Sequence, residues 1–239
     1  MISRRAIEYK EPIRSDYFYP KFAILDPLTT MSLPERQTKN GVVDSFVHVC
    51  EQYITVCSHA DVQDRYAEAL LRVLIDNGPV ALREPNNYVA RANVMWASTQ
   101  ALNHWLCQGV KQDWATHFIG HELTAYLGMD HGRTLACIQP RVLEYKFETK
   151  KGKLAQMARR VFGLEGDDEE ALARKAIQCI VDFYEKDMEM PTHISAFVDT
   201  TDRSWVEKVY EKFTSRPLVF GEDLEITPEV SRQIINDSF

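Results

Sequence analysis

The sequence predicts a mainly α-helical bundle preceded by short strand segments. Three observations lead to this prediction. From Leu33 onward, apolar residues recur at spacings of three and four, which is the period of an amphipathic helix. The 10 glycines are scattered, so neither glycine-rich signature of a nucleotide-binding βαβ unit occurs. Strand-like patterns are confined to residues 1–33.

The first part of the chain, residues 1–33, contains two short strand patterns. Ile2–Arg4 is one of them. The apolar run Lys21–Leu25, closed by Asp26-Pro27, is predicted to be a buried strand. Two short strands do not make a stable sheet by themselves. We therefore expect both to belong to a larger sheet, and we place a domain boundary between residues 33 and 34.

The remainder, residues 34–239, is predicted to form a single helical domain. Pro34 suits the first turn of a helix, and Asp167–Glu170 places acidic groups where a helix N-terminus favours them. Gly78-Pro79 is expected to interrupt the second helix. The predicted helices span 34–53, 60–83, 88–106, 114–127, 133–147, 151–162, 168–187, 202–213 and 227–236.

The charge of the chain argues against a nucleic-acid-binding protein. Its net charge is −7 and its pI is near 5.5, whereas nucleic-acid binders usually carry a basic face. The densest basic run, Lys150–Lys153, is interpreted as the solvated edge of a helix. No apolar stretch approaches the ~20 residues that span a bilayer, and the N-terminus lacks the apolar core of a secretory signal.

The cysteines suit a reducing cytoplasm, where we expect the protein to reside. There are five, an odd number, with no C-x-x-C pair among them. We expect the thiols to act as small core hydrophobes. Cys50, Cys57 and His59 lie near one another in the sequence, but their spacing matches no common zinc site. The cysteines are Cys50, Cys57, Cys107, Cys137 and Cys179.

Two pairs of polar residues have the spacing of a metal clamp. Asp44 and His48 are four residues apart, as are His117 and His121, and His131 follows in the same segment. On a helix, residues i and i+4 share a face, so each pair can grip one ion. One carboxylate with two or three imidazoles suits Fe or Zn, and spacing alone does not separate these metals. Spacing also leaves open that these histidines are hydrogen-bonded core residues.

The motifs around the clamps resemble those of the iron-type alcohol dehydrogenases. Gly41-Val42-Val43-Asp44, with His48 and Glu51-Gln52-Tyr53, is similar to the first metal-ligand helix of that family. The resemblance covers essentially all 239 residues and places the chain in the butanol-dehydrogenase-like, NADPH-preferring aldehyde reductase branch. The other matching segments are Phe22–Pro27, Leu33–Gln37, Arg91–Ala97, Asp113–His117, Gly120–Ala125 and Asp130–Ala136.

The resemblance implies roles for seven residues. His121, with a near-neutral pKa, corresponds to a histidine near the substrate that can relay a proton. Lys10 and Leu33 correspond to residues that face the nicotinamide of the cofactor. A solvated surface lysine and an apolar core residue at the start of a helix are the alternatives for these two. The implied metal ligands are Asp44, His48, His117 and His131.

The resemblance also implies an architecture and an activity. The helical part is expected to have the dehydroquinate synthase-like C-terminal fold. The glycine-rich α/β domain that binds NADP(H) in the family is expected to be missing, with residues 1–33 as its last strands. The implied activity is metal-assisted hydride transfer between NAD(P)H and a small aldehyde or alcohol. We expect a homodimer that is inactive without the nucleotide-binding domain.

Two other functions remain open at this point. A helical metal-dependent hydrolase is one, although many of these carry an adjacent His-Asp pair and this sequence contains none. A non-catalytic helical metal-binding or interaction protein is the other. The intact set of predicted ligands disfavours this second alternative, and the absence of a cofactor domain favours it.

Overall fold

The structure, a computed structural model, describes residues 1–13, 15–56 and 59–239. Within these residues, helices dominate, which confirms the predicted mainly α bundle. None of the described helices combines the length and apolar content needed to cross a bilayer. The elements are β1 Ile2–Arg4, β2 Tyr9–Glu11, α1 Glu35–Tyr53, α2 Asp61–Arg83, α3 Tyr88–Ala101, α4 Ala115–Leu127, α5 His131–Tyr145, α6 Phe147–Arg160, α7 Glu169–Asp182, α8 Ser204–Ser215 and α9 Pro228–Asp237.

The N-terminal segment differs from its prediction at one of two strands. The first predicted strand is confirmed as β1, which pairs antiparallel with β2 so that Ser3 lies opposite Lys10. The second prediction is wrong, because residues 21–25 form no strand and Phe22 and Ile24 are 80% and 84% exposed. An apolar run becomes a buried strand only where a neighbouring sheet supplies hydrogen bonds and a face to pack on. The described residues offer no such sheet beside this run.

The second helix is continuous through the proline that was expected to interrupt it. α2 runs to Arg83 with Pro79 inside it. Packing against α1 explains this, since a Cβ on Gly78 would lie 2.6 Å from Cγ1 of Val42. Tertiary contacts of this kind supply most of the stability of a helix in a folded protein, and they offset the hydrogen bond lost at the proline.

The third helix ends earlier than predicted. α3 stops at Ala101, where the prediction continued to residue 106. The Ala101 carbonyl accepts a hydrogen bond of 2.8 Å from the Gln52 side chain. Further along, His104 has a φ of 71°, which a helix does not accommodate. The chain from Leu102 to Trp114 consequently forms a loop that leads into α4.

The buried residues form two clusters, and α5 contributes to both. One cluster lies mainly among α1, α2, α6 and α7, and the other lies mainly among α4, α5, α8 and α9. α1 and α5 approach so closely that a Cβ on Gly132 would lie 2.6 Å from the Asn40 carbonyl oxygen. Similarly, a Cβ on Gly120 of α4 would lie 2.9 Å from Oγ1 of Thr134. These glycines let α1, α4 and α5 meet, and the candidate site lies where they meet.

The basic run Lys150–Lys153 is not a solvated edge, so that interpretation is wrong for two of its lysines. Lys150 and Lys153 are 2% and 7% exposed. Lys150 Nζ lies 2.9 Å from Asp113 Oδ2 and 3.1 Å from Glu222 Oε1. The reason is helical periodicity, which turns Lys150 and Lys153 of α6 inward and leaves Lys151 at the surface. Their acidic partners are remote in sequence, so local patterning did not reveal them.

The cysteine prediction is confirmed at two positions. Cys50 and Cys137 are fully buried among apolar residues. Cys107 and Cys179 are half-buried. Cys57 lies outside the described residues. The interpretation of Cys50, Cys57 and His59 as no zinc site therefore stays a prediction.

The buried lysine cluster generates a stability prediction. Lys150→Met should lower the free energy of unfolding by about 3–5 kcal/mol, because it leaves buried carboxylate charge without its full compensation. Lys151→Met, one residue away at the surface, should change it by less than about 0.5 kcal/mol. Urea denaturation of both variants measures the difference. An equal decrease in the free energy of unfolding in the two variants would show that the ion pairs of Lys150 do not stabilise the fold.

Candidate metal centre

Asp44 and His48 lie one turn apart on α1 and face the same side. His48 Nδ1 is 2.8 Å from the Asp44 carbonyl oxygen and 3.0 Å from Asp44 Oδ1. A carbonyl oxygen only accepts, so Nδ1 is the protonated nitrogen and Nε2 is left with a free lone pair. The shared face that the spacing predicted is thus present.

His117 reaches the same carboxylate from α4. Its Nε2 lies 3.4 Å from Asp44 Oδ1, and its ring centroid lies 4.2 Å from that of His48. Asp44, His48 and His117 each offer one ligand atom, and these atoms lie within 4.8 Å of one another. Asp44 Oδ1 and His117 Nε2 are both buried and form no hydrogen bond within the described residues. Buried polar atoms without a partner are costly, and a shared cation would satisfy both.

His131, at the start of α5, completes the group. Its Nε2 lies 3.7 Å from Asp44 Oδ1, and its ring centroid lies 5.3 Å from that of His117. Gly128 provides the bend between the two histidines, because it ends α4 with a φ of 70°. Gly120 lies inside the helix and permits its close packing on α5.

His121 adjoins the cluster one turn beyond His117. Its ring centroid is 5.2 Å from that of His131 and 6.3 Å from that of His117. Burial lowers the pKa of His121 to about 2, and the nearby His131 and Lys10 act in the same direction. This contradicts the near-neutral pKa expected from the sequence. In the metal-free protein the imidazole is accordingly neutral at pH 7.

Lys10 and Leu33 occupy different surroundings. Lys10 is buried, and its Nζ donates a 3.3 Å hydrogen bond to Thr124 on α4, so it is not a solvated lysine. Burial lowers the pKa of Lys10 to about 8, while Asp44 opposes that shift. Leu33 is 42% exposed and is not a core residue. It lines a cavity of about 370 Å³ beside Gly41 and Met95, and none of the predicted metal ligands lines that cavity.

Glu51, whose role the sequence pattern did not predict, contacts His117 on the side of the ring away from Asp44. Glu51 is 5% exposed; its Oε2 contacts His117 Nδ1, and its Oε1 accepts a 2.7 Å hydrogen bond from the Thr116 amide. Burial alone would lower the pKa of His117, but Glu51 and Asp44 raise it to about 9. A signal was present in the sequence, because Glu51 follows Asp44 by seven residues and therefore shares its helix face.

The donor set suits a transition metal ion or zinc. Burial would raise the pKa of the Asp44 carboxyl, but the contacts with His117 and His48 hold it below its usual range. One ionised carboxylate with imidazole nitrogens is typical of Fe or Zn sites, whereas Ca and Mg require more oxygen donors.

A second group of carboxylates is already neutralised by lysines. Asp113, Glu222 and Glu225 also lie close enough together to hold an ion. Lys146 Nζ, however, lies 2.6 Å from Asp113 Oδ2 and 3.2 Å from Glu222 Oε1, and it contacts Glu225 as well. These ammonium contacts supply the positive charge, so this group does not call for a metal.

Comparison with known proteins reveals close relatives of this chain. It is similar to the NADPH-dependent aldehyde reductase YqhD of Escherichia coli, with 47% identity over 236 residues, or 98% of this chain and 60% of that protein. It is also similar to NADH-dependent butanol dehydrogenase B of Clostridium acetobutylicum, with 38% identity over 177 residues, or 73% of this chain and 45% of that protein. The chain thus spans about 60% of the length of its E. coli relative.

Solved structures share the fold over almost the whole chain. The crystal structure of E. coli YqhD matches with a TM-score of 0.94 at 44% identity, covering 100% of this chain and 60% of that one. Butanol dehydrogenase A of Thermotoga maritima matches with a TM-score of 0.89 at 28% identity, covering 98% of this chain and 60% of that one.

The family profile described as Fe-containing alcohol dehydrogenase family, C-terminal, matches residues 38–203. This range contains all four predicted metal ligands and His121. The chain belongs to the Fe-containing alcohol dehydrogenase family and corresponds to the all-helical C-terminal part of its members.

Proposed function

We propose that this chain is the metal-binding half of an oxidoreductase that interconverts alcohols and aldehydes by hydride transfer with NAD(P)H. The observation that carries the proposal is the convergence of one carboxylate and three imidazoles, with Asp44 Oδ1 and His117 Nε2 buried and without a hydrogen-bond partner in the described part of the chain. Family membership supports the same reaction class, because the relatives include aldehyde reductases and butanol dehydrogenases.

The proposed metal is one Fe or Zn ion held by Asp44, His48, His117 and His131. Such an ion, when bound, supplies Lewis-acid stabilisation of the negative charge that develops on the substrate oxygen. The protein's own part is to fix the donors. Asp44 stays ionised because His117 and His48 lower its pKa, and His48 keeps a free Nε2 because its Nδ1 donates to a backbone carbonyl.

His121 and Lys10 are proposed to act beside the metal. His121 is a neutral imidazole in the metal-free protein at pH 7 and lies beside His131, and we propose that it relays a proton to or from the substrate oxygen. Lys10 lies on β2, and its Nζ donates a hydrogen bond to Thr124 of α4. Thr124 follows His121 by three residues on that helix. We propose that Lys10, together with Leu33, contacts the nicotinamide end of the cofactor.

The N-terminal residues are proposed to pack against a nucleotide-binding α/β domain. Residues 1–33 expose large apolar side chains, including Tyr17 at 96%, Phe22 at 80% and Ile24 at 84%. Exposed apolar surface of this extent marks a contact surface. Residues 34–239 are then the metal-binding domain. We further propose NADP(H) as the cofactor, since the 47% identical relative is NADPH-dependent, and we propose a cytoplasmic homodimer.

The metal assignment predicts which substitutions abolish binding. Alanine at Asp44, His48, His117 or His131 should weaken Zn(II) binding more than tenfold, because each removes one donor from a single ion. His121→Ala should retain the metal and serves as the matched histidine control. Chelator-competition titration and elemental analysis measure both effects. Metal loss in His121→Ala would make His121 a ligand and refute the assignment.

The activity proposal predicts different behaviour for the 239 residues alone and for a chimera. The 239-residue chain should bind metal but neither bind NADPH nor reduce butanal, because its sequence contains no glycine-rich phosphate-binding turn. Joined to the nucleotide-binding part of E. coli YqhD, it should reduce butanal with NADPH, and an Asp44→Ala chimera should not.

Calorimetry with NADPH and an NADPH-oxidation assay test these two expectations. Turnover by the 239 residues alone would reveal a cofactor site within them. A chimera that binds metal and NADPH without turnover would favour a non-catalytic metal-binding protein.

The buried neutral His121 predicts how stability depends on pH in the metal-free protein. The pKa of His121 in the folded state lies near 2, below the ordinary value of 6.5. The contribution of the neutral imidazole to the free energy of unfolding is therefore complete above pH 6.5 and is lost as the pH falls. Between pH 7.5 and 5.5 the loss attributable to one such group is about 1.4 kcal/mol. Over this pH range the free energy of unfolding of His121→Asn should therefore fall by about 1.4 kcal/mol less than that of the wild type. Urea denaturation of both proteins after chelator treatment measures the difference. An identical pH dependence in both proteins would contradict a buried neutral His121.

A further inference from the structure

Glu51 is a buried carboxylate whose contacts all point to one histidine and the helix that carries it. Its Oε2 contacts His117 Nδ1, and its Oε1 accepts a 2.7 Å hydrogen bond from the Thr116 amide. Among the salt bridges of the described residues, Glu51 has a single partner, His117. A buried charge in this position requires compensation, and no lysine or arginine among the described residues supplies it.

The contact determines which nitrogen of His117 is free. A carboxylate oxygen accepts, so the His117 nitrogen that faces Glu51 carries the proton. In the neutral imidazole that binds a cation, the lone pair is then on Nε2, the atom that faces Asp44 Oδ1 at 3.4 Å and has no hydrogen-bond partner among the described residues. The negative charge behind the ring also makes Nε2 more electron-rich, and hence a stronger donor to a cation.

Glu51 also fixes the start of the helix on which His117 lies. Trp114 precedes α4 with a φ of 62° and provides no side-chain cap. The cap comes from elsewhere, because Glu51 Oε1 accepts from the Thr116 amide and Asp113 Oδ1 accepts from the Ala115 amide at 3.0 Å. The Asp113 amide in turn donates to the Glu51 carbonyl at 2.9 Å. Glu51 of α1 thus contributes both to the position of α4 and to the orientation of the His117 ring.

We propose that Glu51 is a positioning residue of the metal centre, which holds His117 in the Nδ1-protonated form with Nε2 directed at the ion. The proposal rests on the proposed metal site. It goes beyond that site because Glu51 is not one of the proposed ligands and acts through His117 and the start of α4.

The test uses Glu51→Gln, which preserves size and one acceptor oxygen. When that oxygen accepts from the Thr116 amide, the new NH₂ group faces His117 Nδ1 and forces the proton onto Nε2. The variant should bind Zn(II) about 10–100-fold more weakly than the wild type, as measured by chelator competition. Circular dichroism verifies that the helices are retained.

Glu68→Gln is the matched control. Glu68 is also 5% exposed and forms hydrogen bonds with the Tyr53 hydroxyl and Arg160, away from the histidines. Its substitution should lower the thermal midpoint and leave zinc affinity unchanged. If both variants lost zinc affinity equally, a general loss of stability would explain the result and the positioning role would be refuted.

The remaining outcomes separate this inference from the proposed function. A wild-type chain that binds no divalent metal refutes the metal site and, with it, the role of Glu51. If the wild type binds zinc and Glu51→Gln binds it equally tightly, the role of Glu51 is refuted and the metal site is not. If the variant fails to fold, nitrogen NMR of the zinc-loaded wild type decides the question. A proton on His117 Nδ1 supports the proposal, and a proton on Nε2 overturns it.

Discussion

The structure depends on the carboxylate of Asp44, whose Oδ1 is buried where three helices meet. α1 supplies it, and α4 and α5 direct His117 and His131 at the same oxygen, Oδ1. Three helices approach this closely only because Gly120 and Gly132 carry no side chain at the crossings. Close packing thus creates a small polar chamber inside an apolar bundle, with a charge that calls for a cation.

Further buried charges keep the chamber in place from outside. Lys150 joins the loop before α4 to the end of α1, because its ammonium contacts Asp113 and donates to the Ile54 carbonyl. Glu51 performs the corresponding task inside, where it caps α4 and holds His117. Ion pairs of this kind tolerate little displacement, since loss of one partner leaves an uncompensated buried charge. They therefore transmit the geometry of the helical frame to the histidines.

The chamber is surrounded by two features that a metal site alone does not explain. On one side of the chamber the buried Lys10, whose pKa is lowered, donates a hydrogen bond to Thr124. His121 adds a neutral imidazole near His131. Farther out, the segment before α1 exposes apolar side chains that the helical bundle does not cover. Both features belong to a chain of the Fe-containing alcohol dehydrogenase family, and they are the ones that we propose to face the nicotinamide and its binding domain.

Much of this organisation follows from the sequence alone. Helical periodicity predicted the bundle and nearly all of its helices, and the i,i+4 spacing of Asp44 and His48 predicted their shared face. Both are local properties of a regular helix, which a short stretch of sequence determines by itself.

What the sequence left undetermined depends on contacts between distant segments. Phe22 and Ile24 form no strand because no neighbouring sheet among the described residues receives them. Pro79 stays helical because α1 packs against α2, and Lys150 is buried because Asp113 and Glu222 lie beside it. The pKa of His121 and the role of Glu51 likewise depend on groups brought in by other helices. Burial and hydrogen-bond partners are properties of the folded chain as a whole, so only the tertiary structure decided them.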